Sequence, residues 1–166
     1  MKLAVTHSFP CSVDVFWQMF WDPAYDEMLS SSAAITKEIL WDREEGGDRV
    51  WRMRFIPDRE LPAMVAKAVG ATKLVYEQES RLTSDGVLHW EVFPTVVPDK
   101  VTAKGTMRVS ASGDGITRVV DGEIKVRIPL VGGRIEKQIH QSVVESYDRA
   151  AEVRRQWLRE HGPGLS

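Results

Sequence analysis

A long amphipathic helix that follows an almost unbroken run of strand-like segments does most to limit what this chain can fold into. Over Pro129–Trp157 the apolar residues Ile135, Ile139, Val143, Tyr147, Ala150, Val153 and Trp157 step by threes and fours, the spacing of one helix face. That face must be buried against something. The segments before it, Ala34–Glu44, Arg49–Ile56, Thr72–Thr83, Val87–Val97, Val101–Ser112 and Ile116–Ile128, alternate or run apolar at strand lengths. The predicted partner is therefore a curved antiparallel sheet. A sheet that grips a single helix tends to enclose a cavity, so the pattern predicts a protein with a site for a hydrophobic ligand and leaves the ligand unnamed.

The opening of the chain is less ordinary. Lys2–Phe9 reads as a first strand, broken by Pro10-Cys11-Ser12. Val13, Phe16, Trp17 and Phe20 then recur at helical spacing, with Ser12 placed to cap the helix. Pro23 starts a second short helix that runs to about Leu29. Turns at Glu45-Gly46-Gly47-Asp48, Ser84-Asp85-Gly86, Pro98-Asp99-Lys100 and Gly113-Asp114-Gly115 separate the later strands at hairpin length.

The sum is a strand, two short helices, six strands and a long C-terminal helix. This order resembles the helix-grip fold of the START-like superfamily (Bet v 1-like, SRPBCC, polyketide cyclase/dehydrase-type) over nearly the whole chain. Ile128-Pro129-Leu130-Val131-Gly132-Gly133-Arg134-Ile135-Glu136-Lys137 and Phe16-Trp17-Gln18-Met19-Phe20-Trp21-Asp22-Pro23-Ala24-Tyr25 resemble an uncharacterised bacterial branch of it. The resemblance implies an α+β domain in which a seven-stranded curved antiparallel sheet wraps the C-terminal helix, with two short N-terminal helices. It also implies binding of lipids, sterols, polyketides or other apolar molecules between sheet and helix. A minority of members are cyclases, aromatases or hydrolases, and some bind protein partners.

With 166 residues and 43% hydrophobic content, the chain fits one domain over residues 1–160, followed by a disordered tail at 161–166. A net charge of −2, with Lys and Arg scattered among Glu and Asp, gives no electrostatic footprint for nucleic acid. The lone Cys11 cannot make an internal disulfide, and no Cys/His spacing suits zinc, so neither a metal nor another cofactor is expected. No segment has the length of a signal h-region or a membrane span, which predicts a cytoplasmic protein with at most transient membrane contact. A monomer and a homodimer are both open.

Strand alternation assigns an inner face comprising Trp51, Met53 and Phe55; Leu74, Tyr76 and Gln78; Leu88, Trp90 and Val92; Met107 and Val109; and Val120 and Ile124. The helix adds Ile139, Val143, Ser146 and Tyr147. From these, Trp51, Met53, Phe55, Tyr76, Gln78, Trp90, Val92, Met107, Val120, Ile139, Val143, Ser146 and Tyr147 are the candidate ligand-binding residues, with Tyr76, Gln78, Ser146 and Tyr147 as polar anchors. The same aromatics could instead pack as an ordinary core. Small inward residues, Ala103, Gly105, Ala111 and Gly122, could admit a ligand or only permit curvature. The opposite faces carry Arg52, Arg54, Glu77, Glu79, His89 and Glu91, a pattern suited to a solvated surface. Between two strands, Leu61, Met64, Val65 and Val69 repeat at helical spacing and are predicted either to form a lid over the sheet's open end or to be a satellite of the core.

No nucleophile elbow, phosphate loop, paired-histidine metalloprotease motif or dinucleotide fingerprint is present, and none of the four histidines is placed in the pocket, so no catalytic residue is assigned. The first reading is therefore a binding or transport protein for a lipid, fatty acid, isoprenoid or polyketide-like molecule. A cyclase, aromatase or dehydratase is the second reading and a protein-interaction module the third.

Overall fold

The computed structural model describes residues 1–162. Its elements are β1 (Lys2–Phe9), α1 (Val13–Phe20), α2 (Pro23–Ala33), β2 (Ile35–Glu45), β3 (Asp48–Pro57), α3 (Ala63–Val69), β4 (Tyr76–Leu82), β5 (Leu88–Pro94), β6 (Val101–Ser112), β7 (Gly115–Val126) and α4 (Gly132–His161). The strands form one antiparallel sheet in the order β1-β7-β6-β5-β4-β3-β2. This is the helix-grip architecture of START-like proteins: the sheet curves around α4, and α1 and α2 close one end.

Local chemistry sets the boundaries. Ser12 Oγ accepts from the Val15 N–H at 3.2 Å at the start of α1. Asp22 Oδ1 accepts from the Ala24 N–H at 2.9 Å at the start of α2, with Pro23 in the first turn. α2 runs four residues past Leu29 before Ala34 ends it in the left-handed region. α4 likewise passes Trp157 and continues to His161, further than apolar spacing predicts. Leu158 is buried, and the His161 ring stacks on Trp157 at 3.9 Å. Of the expected tail, residues 163–166 lie outside the described residues.

One row across the sheet explains much of its packing. Leu3, Gly122, Gly105, Trp90, Ser80 and Trp51 are successive cross-strand partners. Two glycines stand side by side next to Trp90 in this row, so its indole lies over both: a Cβ on Gly105 or Gly122 would come within 2.7 or 2.8 Å of its Cζ2. The small inward residues at 105 and 122 thus make room for an indole of the protein itself. On the outer face, Arg52 Nε donates to Glu77 at 2.7 Å and Arg54 donates to Glu77 and Glu38. Burial works against ionising Glu77, but these two guanidiniums outweigh it and hold the carboxyl below its ordinary value.

Candidate functional site

The inner face divides the sequence-predicted ligand residues into two groups. Trp51, Trp90, Met107 and Val120 are buried in the main core, where Trp51 packs edge-on against Trp21 at 5.0 Å and lies close to Phe20. Met53, Phe55, Tyr76, Gln78, Val92, Ile139, Val143 and Tyr147 also face inward but are only half-buried, and Ser146 is exposed. The split follows from how α4 packs. It leans on α2, β7 and β1, so its middle turns stand off from β3, β4 and β5.

On that open side, a groove of about 150 Å³ is lined by Leu29, Ala33, Ile35, Lys37, Phe55, Tyr76, Ser146, Arg149 and Ala150. Phe55 and Tyr76, cross-strand partners, stack at 5.0 Å and 12° to make its floor. Lys37 forms an ion pair with Asp26 at its rim. Burial pushes the Tyr76 phenol up to about 12, and the neighbouring Tyr147 adds to the shift. Burial raises Tyr147 as well, against the pull of Arg118. Among the described residues neither hydroxyl has a protein partner. The α2 contribution, Leu29 and Ala33, was not visible in the sequence because α2 has only a weak apolar stripe. A wider, open depression of about 540 Å³ over β1, β6 and β7 is flanked by Lys2, Lys104, Asp121 and Glu123 and has no aromatic lining.

The predicted lid residues lie elsewhere. Val65 and Val69 of α3 are buried with Val101, Val126 and Ile135 in a second small core, with Leu61 and Met64 packed around them. That core sits beside the first turn of α4, and α3 contributes no residue to the groove.

The structure also assembles a polar group that the sequence reading passed over. Arg118 of β7 and Arg154 of α4 are each only 3% exposed. His7 is the cross-strand partner of Arg118. Arg118 Nη2 lies 2.9 Å from His7 Nδ1, and His7 Nε2 lies 2.7 Å from Asp148 Oδ1. A guanidinium can only donate, so Nδ1 accepts and the Nε2–H donates to Asp148. With both nitrogens engaged, His7 has no free lone pair with which to abstract a substrate proton. Arg118 also donates to the Tyr147 carbonyl at 3.4 Å.

Arg154 meets aromatic faces, with its Cζ at 4.0 Å from the Phe16 ring centre and 4.9 Å from that of Tyr25. Arg118 Nε, Arg154 Nε and Nη1 and the Tyr25 hydroxyl are buried without a hydrogen-bond partner. Burial, with the like charge of Arg154 nearby, lowers Arg118 to about 10, and burial lowers Arg154 as well. A signal for all three residues was available. Arg118 alternates in phase with Ile116, Val120 and Ile124; His7 with Leu3, Val5 and Phe9; and Arg154 steps by three and four from Ala151 and Leu158.

Among the described residues no cluster of His, Cys, Asp and Glu is arranged to hold a metal ion, and no helix is long and apolar enough to cross a membrane.

Comparison with known proteins agrees with this architecture. The family described as "Protein of unknown function (DUF2505)" matches residues 4–158. Among solved structures, TTHA0849 from Thermus thermophilus superposes with a TM-score of 0.65 at 15% identity, covering 94% of this chain and 95% of that one. A START superfamily protein from Mycobacterium smegmatis gives a TM-score of 0.56 at 14% identity, covering 95% and 98%. Protein Ms6760 from the same organism gives 0.58 at 15% identity, covering 96% and 91%. At these identities the likeness is one of fold. No curated protein is significantly similar to the chain.

Proposed function

Taking as premise that the chain belongs to the DUF2505 family and has a START-like fold, we propose that it binds an apolar or amphipathic small molecule, such as a fatty acid, isoprenoid or polyketide-like chain, in the groove between α2, β2–β4 and the middle of α4. One observation carries the reading. Leu29, Ala33, Ile35, Phe55 and Tyr76 line the groove and stay only half-buried, and apolar surface left partly wet in this way gains from a ligand that removes it from water. At about 150 Å³, below the about 300–1,000 Å³ of typical drug-sized sites, the groove suits a slim chain better than a fused-ring molecule. The engaged nitrogens of His7 favour carriage over proton-transfer chemistry. We place the carrier in the cytoplasm, where the single Cys11 would stay reduced.

Native mass spectrometry of freshly purified protein, followed by organic extraction, tests the proposal. A discrete adduct that extracts as an apolar compound is the expected result. A bare protein that takes up none of a panel of alkyl acids, alkyl alcohols and isoprenols overturns it.

A further inference from the structure

Arg118 and Arg154 approach the same ring: their Cζ atoms lie 5.2 and 5.5 Å from the centre of Phe9. Each is about as buried as the aliphatic core. Taking a charge out of water is costly even after relaxation, and a second like charge nearby adds to the cost. An ordinary remedy is a carboxylate, and among the described residues neither guanidinium has one. Arg155, whose Cζ lies 5.5 Å from the Phe9 ring centre, adds a third positive charge, and what otherwise surrounds them is neutral: a histidine lone pair, a backbone carbonyl and the faces of Phe9, Phe16, Tyr25 and Tyr147. Aromatic faces attract a cation but accept few of its hydrogen bonds, which is why Arg118 Nε and Arg154 Nε and Nη1 remain without partners.

We infer that Arg118 and Arg154 form an acid-binding end of the site, so that the ligand is an amphipath with a carboxylate or similar anionic group set against these two guanidiniums. The inference rests on the apolar reading for the rest of the molecule. Tyr147 links the two regions: its ring centre lies 5.3 Å from Arg118 Cζ, and it follows Ser146 of the groove lining directly on α4. A chain lying along Tyr76 and Val143 would bring its acid end past Tyr147 to Arg118, where a planar carboxylate can accept two N–H bonds from one guanidinium. His7 and Asp148 position Arg118, because the Asp148 carboxylate fixes the His7 tautomer that leaves Nδ1 free to accept from it.

The test measures binding of dodecanoate and dodecanol to the intact chain, and thermal shifts with sodium phosphate and sodium acetate, for wild type, Arg118→Met and Arg154→Met. The wild type should hold dodecanoate at least about tenfold more tightly than dodecanol. Arg118→Met should bring that ratio close to one without weakening dodecanol, and the ligand-free melting temperature should rise in at least one variant because an uncompensated buried charge is gone. Arg118→Lys, which keeps the charge but loses the fork, covers the case in which a methionine variant does not fold, and should retain only part of the preference. If wild type binds both probes equally, or if Arg118→Met keeps the preference, the acid end is refuted while the apolar site stands. If neither alkyl probe binds but phosphate or acetate raises the wild-type melting temperature and Arg118→Met abolishes the rise, the guanidiniums hold a free anion and the apolar reading fails. If no anion, free or chain-borne, has an effect that depends on Arg118 or Arg154, the inference fails.

Discussion

Trp90 is where packing and ligand lining make opposite predictions. Its side chain is 7% exposed and lies over Gly105 and Gly122, so it occupies the space that two side chains would otherwise fill. Trp90→Ala should therefore cost about 3–5 kcal/mol, as truncation of a packed core aromatic does. Trp90→Phe should cost less, because the indole N–H has no partner to lose. Gly122→Ala gives the sharper test. Its Cβ would meet Trp90 Cζ2 and Cη2 at 2.8 and 2.9 Å and the Lys104 carbonyl oxygen at 2.7 Å. With the indole present the substitution overpacks a full site, a penalty of about 1–3 kcal/mol. With the indole removed only the backbone contact remains. The two substitutions should thus couple, Gly122→Ala being at least about 1 kcal/mol less costly in the Trp90→Ala background. Urea unfolding of the four proteins, compared at a common m value, measures this. Additivity within about 0.5 kcal/mol would show that the ring and the glycines do not compete for space. A Trp90→Ala variant as stable as wild type would return Trp90 to the ligand surface.

Three further outcomes are expected. Burial raises all three tyrosines above the ordinary value of 10.0, Tyr76 to about 12. A raised folded pKa means that the associated stability is complete below pH 10.0 and is lost as the pH climbs toward about 12. Tyrosinate absorbance should therefore appear together with unfolding, and its appearance in folded protein below pH 10.0 would contradict the upward shift of these phenols. Glu77 has a depressed folded pKa, so its contribution is present at neutral pH and lost as the pH falls through that value. Glu77→Gln should cost about 0.5–1 kcal/mol at neutral pH and nothing in acid, as read from denaturation midpoints at several pH values. Val65→Ala in α3 should lower stability by about 1–2 kcal/mol and leave dodecanol affinity unchanged, because α3 does not line the groove. An affinity loss would make α3 part of the site.

The fold was legible because strand and helix periods occupy distinct stretches of the chain, with short helical stretches at α1 and α3 and one long one at the end. Period-two alternation in β3–β7, interrupted only by α3 among the described elements, gives way to threes and fours from Ile135 onward, and the hairpin turns leave an antiparallel order as the simple connection. The division of the inner face was not legible. Alternation says that Trp90 and Tyr76 point the same way, but not that α4 leans toward β1, β7 and α2 and so seals one ring while leaving the other half-buried. The glycines show the same limit. Gly105 and Gly122 could have admitted a ligand or a neighbouring side chain, and only the cross-strand register with Trp90 decides between them.

The arginines mark a different kind of omission. Reading a strand for its apolar set treats a charge on the same face as an interruption, although period two places Arg118 between Ile116 and Val120 as firmly as it places those two. Helical stepping places Arg154 between Ala151 and Leu158 in the same way. Each charge alone could be dismissed as a residue whose stem is buried and whose head reaches water. Their joint meaning appears only when β7 and α4 bring both guanidiniums to Phe9 with almost no exposure. A chain gains little stability from two buried guanidiniums that no carboxylate among the described residues pairs. The arrangement is therefore better explained by what the site has to hold than by what the fold requires, and the sign of the Arg118→Met and Arg154→Met stability changes separates those explanations.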